Sequence, residues 1–248
     1  MAEERVENPT PEIRTVGVDG MLVSFGSRLS EPANRAALAF RAALAKESWD
    51  GVEEVSTSLV SAYVRFDLRH LDHTSLRARL KKLLAQRDWY AAELPGQRRL
   101  WRIPAVFGTD LAPQLPQAAE AAGMTEAEAV ASLSSARVRV QTIGFAPGQP
   151  YLGELPVAWD IPRQTQLTSR IPEGALAVAI RQLVLFSVAT PTGWMHAGQT
   201  AVRLFRPDAE EPFLLRPGDE VQFTSVTPEE LQGLKRDPLG GARAEDLS

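Results

Sequence analysis

The sequence predicts an α+β chain of two domains, a small α+β sandwich followed by a barrel or sandwich of short strands. Three observations carry this. Residues 15–84 read as strand–strand–helix–strand–strand–helix, an order that folds as a small two-layer unit. Residues 88–97 are polar and turn-rich, which places a domain boundary there. Beyond residue 136 the chain changes to short apolar runs punctuated by Pro and Gly, the signature of many short strands. The expected organisation is therefore a leader at 1–14, domains at 15–90 and 98–230, and a loose charged tail at 231–248.

In chain order, apolar runs at 15–18 and 21–25 flank Asp19-Gly20, a hairpin-turn pair. Ser30 is placed to cap a helix with Pro32 in its first turn. Ala36, Ala37, Phe40, Ala43 and Leu44 then recur at helical spacing until Trp49-Asp50-Gly51. Runs at 52–59 and 62–66 read as strands, and a helix from Thr74 carries Leu76, Leu80, Leu83 and Leu84 on one stripe. The second domain opens with a strand at 100–106. Helical segments at 111–122 and 125–133 follow, the latter with the capping box Thr125-x-x-Glu128 and Gly123 at the preceding helix end. Strands are expected at 138–143, 175–179, 184–188, 201–205 and 220–223.

Hydrophobic residues make up 44% and charged residues 23% of the 248 positions, ordinary for a globular chain. The net charge of -4 argues against a nucleic-acid partner. No run of about 18 apolar residues exists, so no membrane span is expected. The N-terminal stretch lacks an apolar secretory core, and with no cysteine in the chain a reducing cytoplasm is a compatible location. There is no phosphate-binding glycine loop, dinucleotide fingerprint, nucleophile elbow or zinc-protease helix. His70 and His73 lie three apart before a helix without a third ligand in reach, so no metal site is read there. Neighbours on a strand face opposite ways, so the carboxylates of Glu53 and Glu54 are expected to point apart and stay solvated. His196 is the one histidine of the second half and the candidate proton carrier near neutral pH.

Three stretches exceed generic structure. Residues 144–156 hold three prolines and three glycines that stiffen a loop displaying Phe145 and Tyr151. The run at 191–200 contains Thr192, Gly193, Trp194 and His196. Residues 203–207 and 214–223 follow, and Pro217-Gly218-Asp219 reads as turn chemistry ahead of a strand. In this order the stretches resemble the B subunit of bacterial 5-oxoprolinase, the family also called KipI or allophanate hydrolase subunit 1. Its pattern runs G-F-x-P-G-F-P-Y-L-G-G-L, P-R, R-V-P-A-G-S-V, G-G-Q-T-G-I-Y-P, P-G-G-W, G-R-T, L-F and L-L-R-P-G-D. Gly144, Phe145, Pro147, Gly148, Tyr151, Arg163, Arg170, Gln182, Trp194, Gly198, Thr200 and residues 214–219 match it. Departures fall at Gln149, Glu154, Leu167-Thr168, Ile180-Arg181 (for a glycine pair) and Thr192.

The resemblance implies a small N-terminal α+β sandwich domain and a C-terminal cyclophilin-like β-barrel. It implies a subunit that acts with a C-type barrel subunit and an A subunit to open the lactam of 5-oxoproline to glutamate using ATP. One branch of the family instead inhibits a sporulation histidine kinase, so a non-catalytic regulatory binding protein is the alternative. Under the first reading Phe145, Pro147, Gly148, Tyr151, Gln182 and Trp194 wall the small-molecule pocket. Arg163 or Arg170 meets a carboxylate there, and His196 carries the proton. The glycine pair replaced by Ile180-Arg181 is expected either to fill the cavity or to remodel its loop.

Overall fold

The computed structural model describes residues 8–96 and 98–247, and the remainder of the expected leader, 1–7, lies outside them. Two compact units part between Gly96 and Gln97.

The first unit is a four-stranded antiparallel sheet with two helices. Strands β1 (Glu12–Val16) and β2 (Gly20–Ser24) form the expected hairpin, but Gly17-Val18-Asp19 make the turn and Gly17 supplies its positive φ of 64°. Strand β1 thus begins inside the segment read as a loose leader. Helix α1 (Glu31–Glu47) starts at Ser30, whose hydroxyl accepts from Ala33 N at 3.4 Å, and buries Ala33, Ala36, Ala37, Phe40 and Leu44. It stops at Ser48, which has left-handed φ. Strands β3 (Val52–Ser58) and β4 (Ser61–Phe66) and helix α2 (His73–Leu84) complete the order β1-β2-β4-β3. Alternation in β4 sends Ala62, Val64 and Phe66 into the core with Leu76, Leu80 and Leu83 of α2. Trp89 and Ala92 close that core, Ala92 from just past residue 90. The register of β3 shifts between Val52 and Glu54. That irregularity lets Glu53 and Glu54 both pair with Arg65, rather than diverge as regular alternation predicts.

The second unit holds β5 (Arg98–Phe107), α3 (Leu115–Ala121), α4 (Glu126–Ser135), β6 (Arg137–Ile143), β7 (Pro150–Gly153) and β8 (Thr168–Ile171). It continues with β9 (Ala175–Ala179), β10 (Gln182–Leu185), β11 (Thr190–Thr192), β12 (Met195–Thr200) and β13 (Glu220–Ser225), then α5 (Pro228–Leu234) and β14 (Arg243–Leu247). Strands run β12-β9-β10-β7-β6-β13-β5, and β12 pairs back onto β5 through Gly198↔Phe107. The sheet is therefore a closed seven-stranded barrel, the cyclophilin-like class that the sequence implies. Its interior is filled by Ile103, Val140, Leu152, Leu176, Val178, Leu183, Leu185 and Phe223, together with Leu115, Ala118 and Leu133 of the two helices. The capping box of α4 forms, with Thr125 N donating to Glu128 Oε2 at 2.8 Å.

Three expectations change. The strand placed at 201–205 lies one segment earlier, at β12, and 205 joins only an isolated bridge to Phe213. Gly198 made that run look like a loop. Here glycine serves barrel closure, because a Cβ at 198 would stand 3.3 Å from both Leu176 and Phe107. The segment 184–188 contributes a strand only to Leu185. The expected loose tail folds instead: α5 opens on a capping box, Thr227 with Glu230, and buries Leu231, and β14 pairs with β5.

Ile180-Arg181 does not line the cavity of this unit; it forms the two-residue turn between β9 and β10, with φ of 43° and 58°. Arg181 pairs with Glu154 at 3.2 Å and donates to Leu155 O at 3.0 Å. Two departures from the glycine pattern thus hold each other. A β-branched residue is poorly suited to left-handed φ, whereas Asn tolerates it. Ile180→Asn is expected to stabilise the chain by about 1 kcal/mol, seen as a higher urea midpoint at unchanged slope. An unchanged midpoint would count against strain at this turn.

Candidate functional site

Strand parity sorts the barrel residues into two faces. Leu176 and Val178 of β9 point inward, whereas Ala175, Ala177 and Ala179 share an outer cluster with Ile171, Val184, Phe186 and Trp194. His196 pairs with Ala177 and Gln199 with Ala175 across β12–β9, so both stand on that outer face. Beside them is a cavity of about 510 Å³. The β5–α3 loop brings Asp110 and Leu111, the β8–β9 corner brings Arg170 and Glu173, β12 brings His196 and Gln199, and Arg203 and Lys235 close the rim.

The walls are set by backbone bonds. Thr200 N and Oγ1 both donate to Gly174 O, at 2.9 and 3.0 Å, drawing the β8–β9 corner onto β12. Gly174 has φ of 77°, and a Cβ there would lie 2.6 Å from Thr200 O, so only glycine fits this approach. Gln114 brackets His196, its Oε1 accepting from His196 N at 2.8 Å while its own N donates to His196 O at 3.0 Å. The Gln114 side chain continues to Gln164 Oε1 at 2.9 Å, and Gln164 Nε2 reaches Trp194 O at 3.0 Å.

His196 is 5% exposed and Gln199 9%. His196 Nε2 and Gln199 Oε1 are both fully buried, and the Gln199 side chain serves the His196 ring as a hydrogen-bond partner. Burial pushes the His196 pKa below the usual 6.5, with the Gln199 side chain and Gly198 backbone opposing in part. The imidazole is therefore neutral at pH 7. Arg170, Arg203 and Lys235 are exposed and form no ion pair among the described residues. The cavity thus joins a neutral imidazole to the cations Arg170, Arg203 and Lys235 and the carboxylates Asp110 and Glu173, a mixed polar lining that suits a small polar ligand.

Of the residues predicted for the site, Arg170 and His196 line this cavity. Tyr151, Trp194 and Arg163 form a second group. The two rings meet edge-on with centroids 6.2 Å apart, and the Arg163 guanidinium lies 5.0 Å from the Trp194 ring centre. Gln182 is on the same outer face, across from Gly153 and Ala179, and donates to Gln141 Oε1 at 2.6 Å. Phe145, Pro147 and Gly148 do not wall the cavity. Their loop runs against Leu204 and Phe213, leaving Phe145 72% exposed. Gln149 is buried with Oε1 3.4 Å from Ser187 N, and Thr192 Oγ1 accepts from Trp194 N at 3.1 Å. His70 faces Asp67 at 3.1 Å and His73 packs edge-on against Phe66. Among the described residues no group of three or more His, Asp or Glu could hold a metal, and no helix is long and apolar enough to cross a membrane. Gln199 was missed. The signal was its place between the matched Gly198 and Thr200, on the face that His196 already marked.

Residues 11–215 match the family model described as carboxyltransferase domain, subdomain C and D. The chain is 27% identical over 236 residues to the B subunit of 5-oxoprolinase from Bacillus subtilis, covering 91% of this chain and 97% of that protein. It is 39% identical over 139 residues to the B subunit of 5-oxoprolinase from Escherichia coli O157:H7, 56% of this chain and 64% of that one. The crystal structure of TTHA0988 superposes with a TM-score of 0.71 at 31% identity, over 87% of this chain. The chain spans 40% of the TTHA0988 chain.

Proposed function

From the premise that this chain belongs to the carboxyltransferase-domain, subdomain C and D, family, with 5-oxoprolinase B subunits among its relatives, we propose that it is a subunit of an ATP-dependent 5-oxoprolinase-type complex. The complex opens the lactam of 5-oxoproline to glutamate, together with a C-type barrel subunit and an A subunit in the cytoplasm. The observation that carries the reading is the cavity that joins buried, neutral His196 to Arg170, Arg203 and Lys235, which form no ion pair among the described residues.

In the reaction the ring amide C–N bond breaks, water oxygen ends in the new carboxylate, and the ring nitrogen leaves as an amine with an added proton. ATP supplies the driving force. The sequence has no glycine-rich phosphate loop, so the reading gives the nucleotide to the complex and not specifically to this chain. On this reading Arg170, with Arg203 and Lys235 of the same cavity lining, holds the substrate carboxylate by charge-assisted hydrogen bonds. Neutral His196, on the same reading, exchanges a proton with the opening ring. Arg163 and Trp194 stiffen the wall next to it, since Gln164 ties Trp194 O back to Gln114 and so to His196.

A second reading, a non-catalytic regulatory binding protein of the kinase-inhibitor branch, draws on one surface. Phe205 and Phe213 stack at 5.1 Å and are exposed, next to the loop that displays Phe145, the kind of apolar surface that docks proteins. Reconstitution separates the two. ATP-dependent ring opening by the assembled subunits is expected to disappear when this chain is omitted. Full activity without it would overturn the proposal, and capture of a histidine kinase in place of the other subunits would favour the second reading.

A further inference from the structure

We infer that Gln114 is a positioning residue of the proposed site, holding His196 where the barrel seam runs out and tying it to the strand that carries Arg170; this rests on the cavity being the substrate site proposed above. The seam between β12 and β5 is paired over Gly198–Thr200, and Gly108 N still reaches Ala197 O at 3.2 Å. One residue further along, β5 has given way to its loop, while the other edge of β12 is taken by β9. The backbone N–H and C=O of His196 point to the open edge. Such groups need partners when buried, and Gln114 supplies both. Its side-chain Oε1 accepts from His196 N at 2.8 Å, and its own N donates to His196 O at 3.0 Å. A single residue ahead of α3 thus stands in for a missing strand at the histidine.

Polarity commits the rest of the Gln114 side chain. With Oε1 on an N–H, Nε2 is left to donate, and it does so to Gln164 Oε1 at 2.9 Å and to Thr168 Oγ1 at 3.2 Å. Gln164 is fixed from its far end, since its Nε2 donates to Trp194 O at 3.0 Å and a carbonyl can only accept. The two amides therefore run in one direction, and flipping either would set acceptor on acceptor. Thr168 opens β8, two residues before Arg170. Gln114 is thus bonded at one end to the residue proposed to carry the proton and at the other to the strand of the residue proposed to hold the carboxylate. Thr168 departs from the family pattern, which marks this link as the chain's own.

Amide exchange of the free chain reads the clamp without any activity. Gln114→Met is expected to speed exchange of the His196 amide at least about 10-fold, while the Thr200 amide, bonded to Gly174 O, keeps its wild-type rate. Gln114→Glu keeps an acceptor for His196 N, and the Thr168 hydroxyl, already 3.4 Å from Oε1, can donate to it, so protection is expected to return. In the assembled complex Gln114→Met is expected to lower kcat about 10-fold or more, because small misplacements of a reacting group are costly. Gln114→Glu should recover most of that rate, and Thr168→Val, which cuts only the Arg170 side, should raise KM more than it lowers kcat. A wild-type exchange rate at His196 in Gln114→Met overturns the inference. So does equal acceleration at His196 and Thr200, or a kcat that Gln114→Met leaves unchanged or Gln114→Glu fails to recover. A wild-type complex without ring opening fails the subunit proposal instead, and the exchange rates then decide the clamp by themselves.

Discussion

Replacing Asp219 by alanine is expected to destabilise the second unit by about 3–5 kcal/mol, the cost of stripping one partner from a buried ion pair. Asp219 is 2% exposed and collects donors from three residues on two segments. Arg99 Nη2 lies 2.7 Å from Oδ2 and Arg99 N 3.2 Å from Oδ1, while Trp101 Nε1 and Arg216 N reach Oδ2 at 3.3 and 3.1 Å. Pro217-Gly218 turns the chain into this position, with φ of 97° at Gly218 and Asp219 N bonded to Arg216 O at 3.0 Å. The carboxylate thereby ties the start of β13 to the start of β5, where a parallel pairing of the barrel begins. Its removal leaves the Arg99 guanidinium half-buried with one bond to Leu214 O and a long approach to Glu211. Breaking the exposed pair Arg102–Glu245 on the same strand is the control, expected to cost within about 1 kcal/mol. Equal urea midpoints for the two variants would show that Asp219 is only a turn residue.

The role proposed for His196 predicts that His196→Gln lowers the ring-opening rate of the complex by about 10²–10⁴-fold, the usual worth of a positioned proton carrier. KM is expected to change little, because the cations that hold the carboxylate are untouched. The same residue fixes the sign of two pH effects. Its folded-state pKa lies below the free value of 6.5, so the wild-type rate should fall on an acid limb below pH 6.5 that the variant lacks. The unfolded chain takes up the proton first as pH falls. The contribution of His196 to stability is therefore fully present above 6.5 and is lost as pH falls through the folded value. An acid limb common to both proteins, or a variant with the wild-type rate, would remove His196 from the chemistry.

What was legible in the sequence follows from which interactions are local. The hairpin at β1–β2, the Ser30 and Thr125 caps and the leucine stripe of α2 are set by neighbours within a few residues, and periodicity displays them. Strands β7 and β12 were hidden because their glycines and prolines serve barrel closure and close backbone approach, which pair partners far apart in the chain. The tail was misread for a different reason: Thr227 and Glu230 announced a helix, but β14 has an almost wholly exposed, charged sequence and gains strand form only from the edge of β5. At the site, His196 and Arg170 could be picked out by chemistry. Gln199 was marked only by its place between the matched Gly198 and Thr200, because an amide carries no charge or titration to single it out. Phe145 had the composition of a pocket wall, yet its loop runs against Leu204 and Phe213, beyond the cavity.

Strand β5 takes partners from β12, β13 and β14, and Arg102 meets Gln222 across 120 intervening steps of chain. During synthesis β5 leaves the ribosome with none of these partners yet made. At translation speeds of about 5–20 residues per second, its apolar flank waits on the order of ten seconds for the strands that cover it. The first unit, whose pairings are between near neighbours, can fold in that interval. The barrel cannot, and its closure waits on the arrival of the strands that follow β5 by more than a hundred residues.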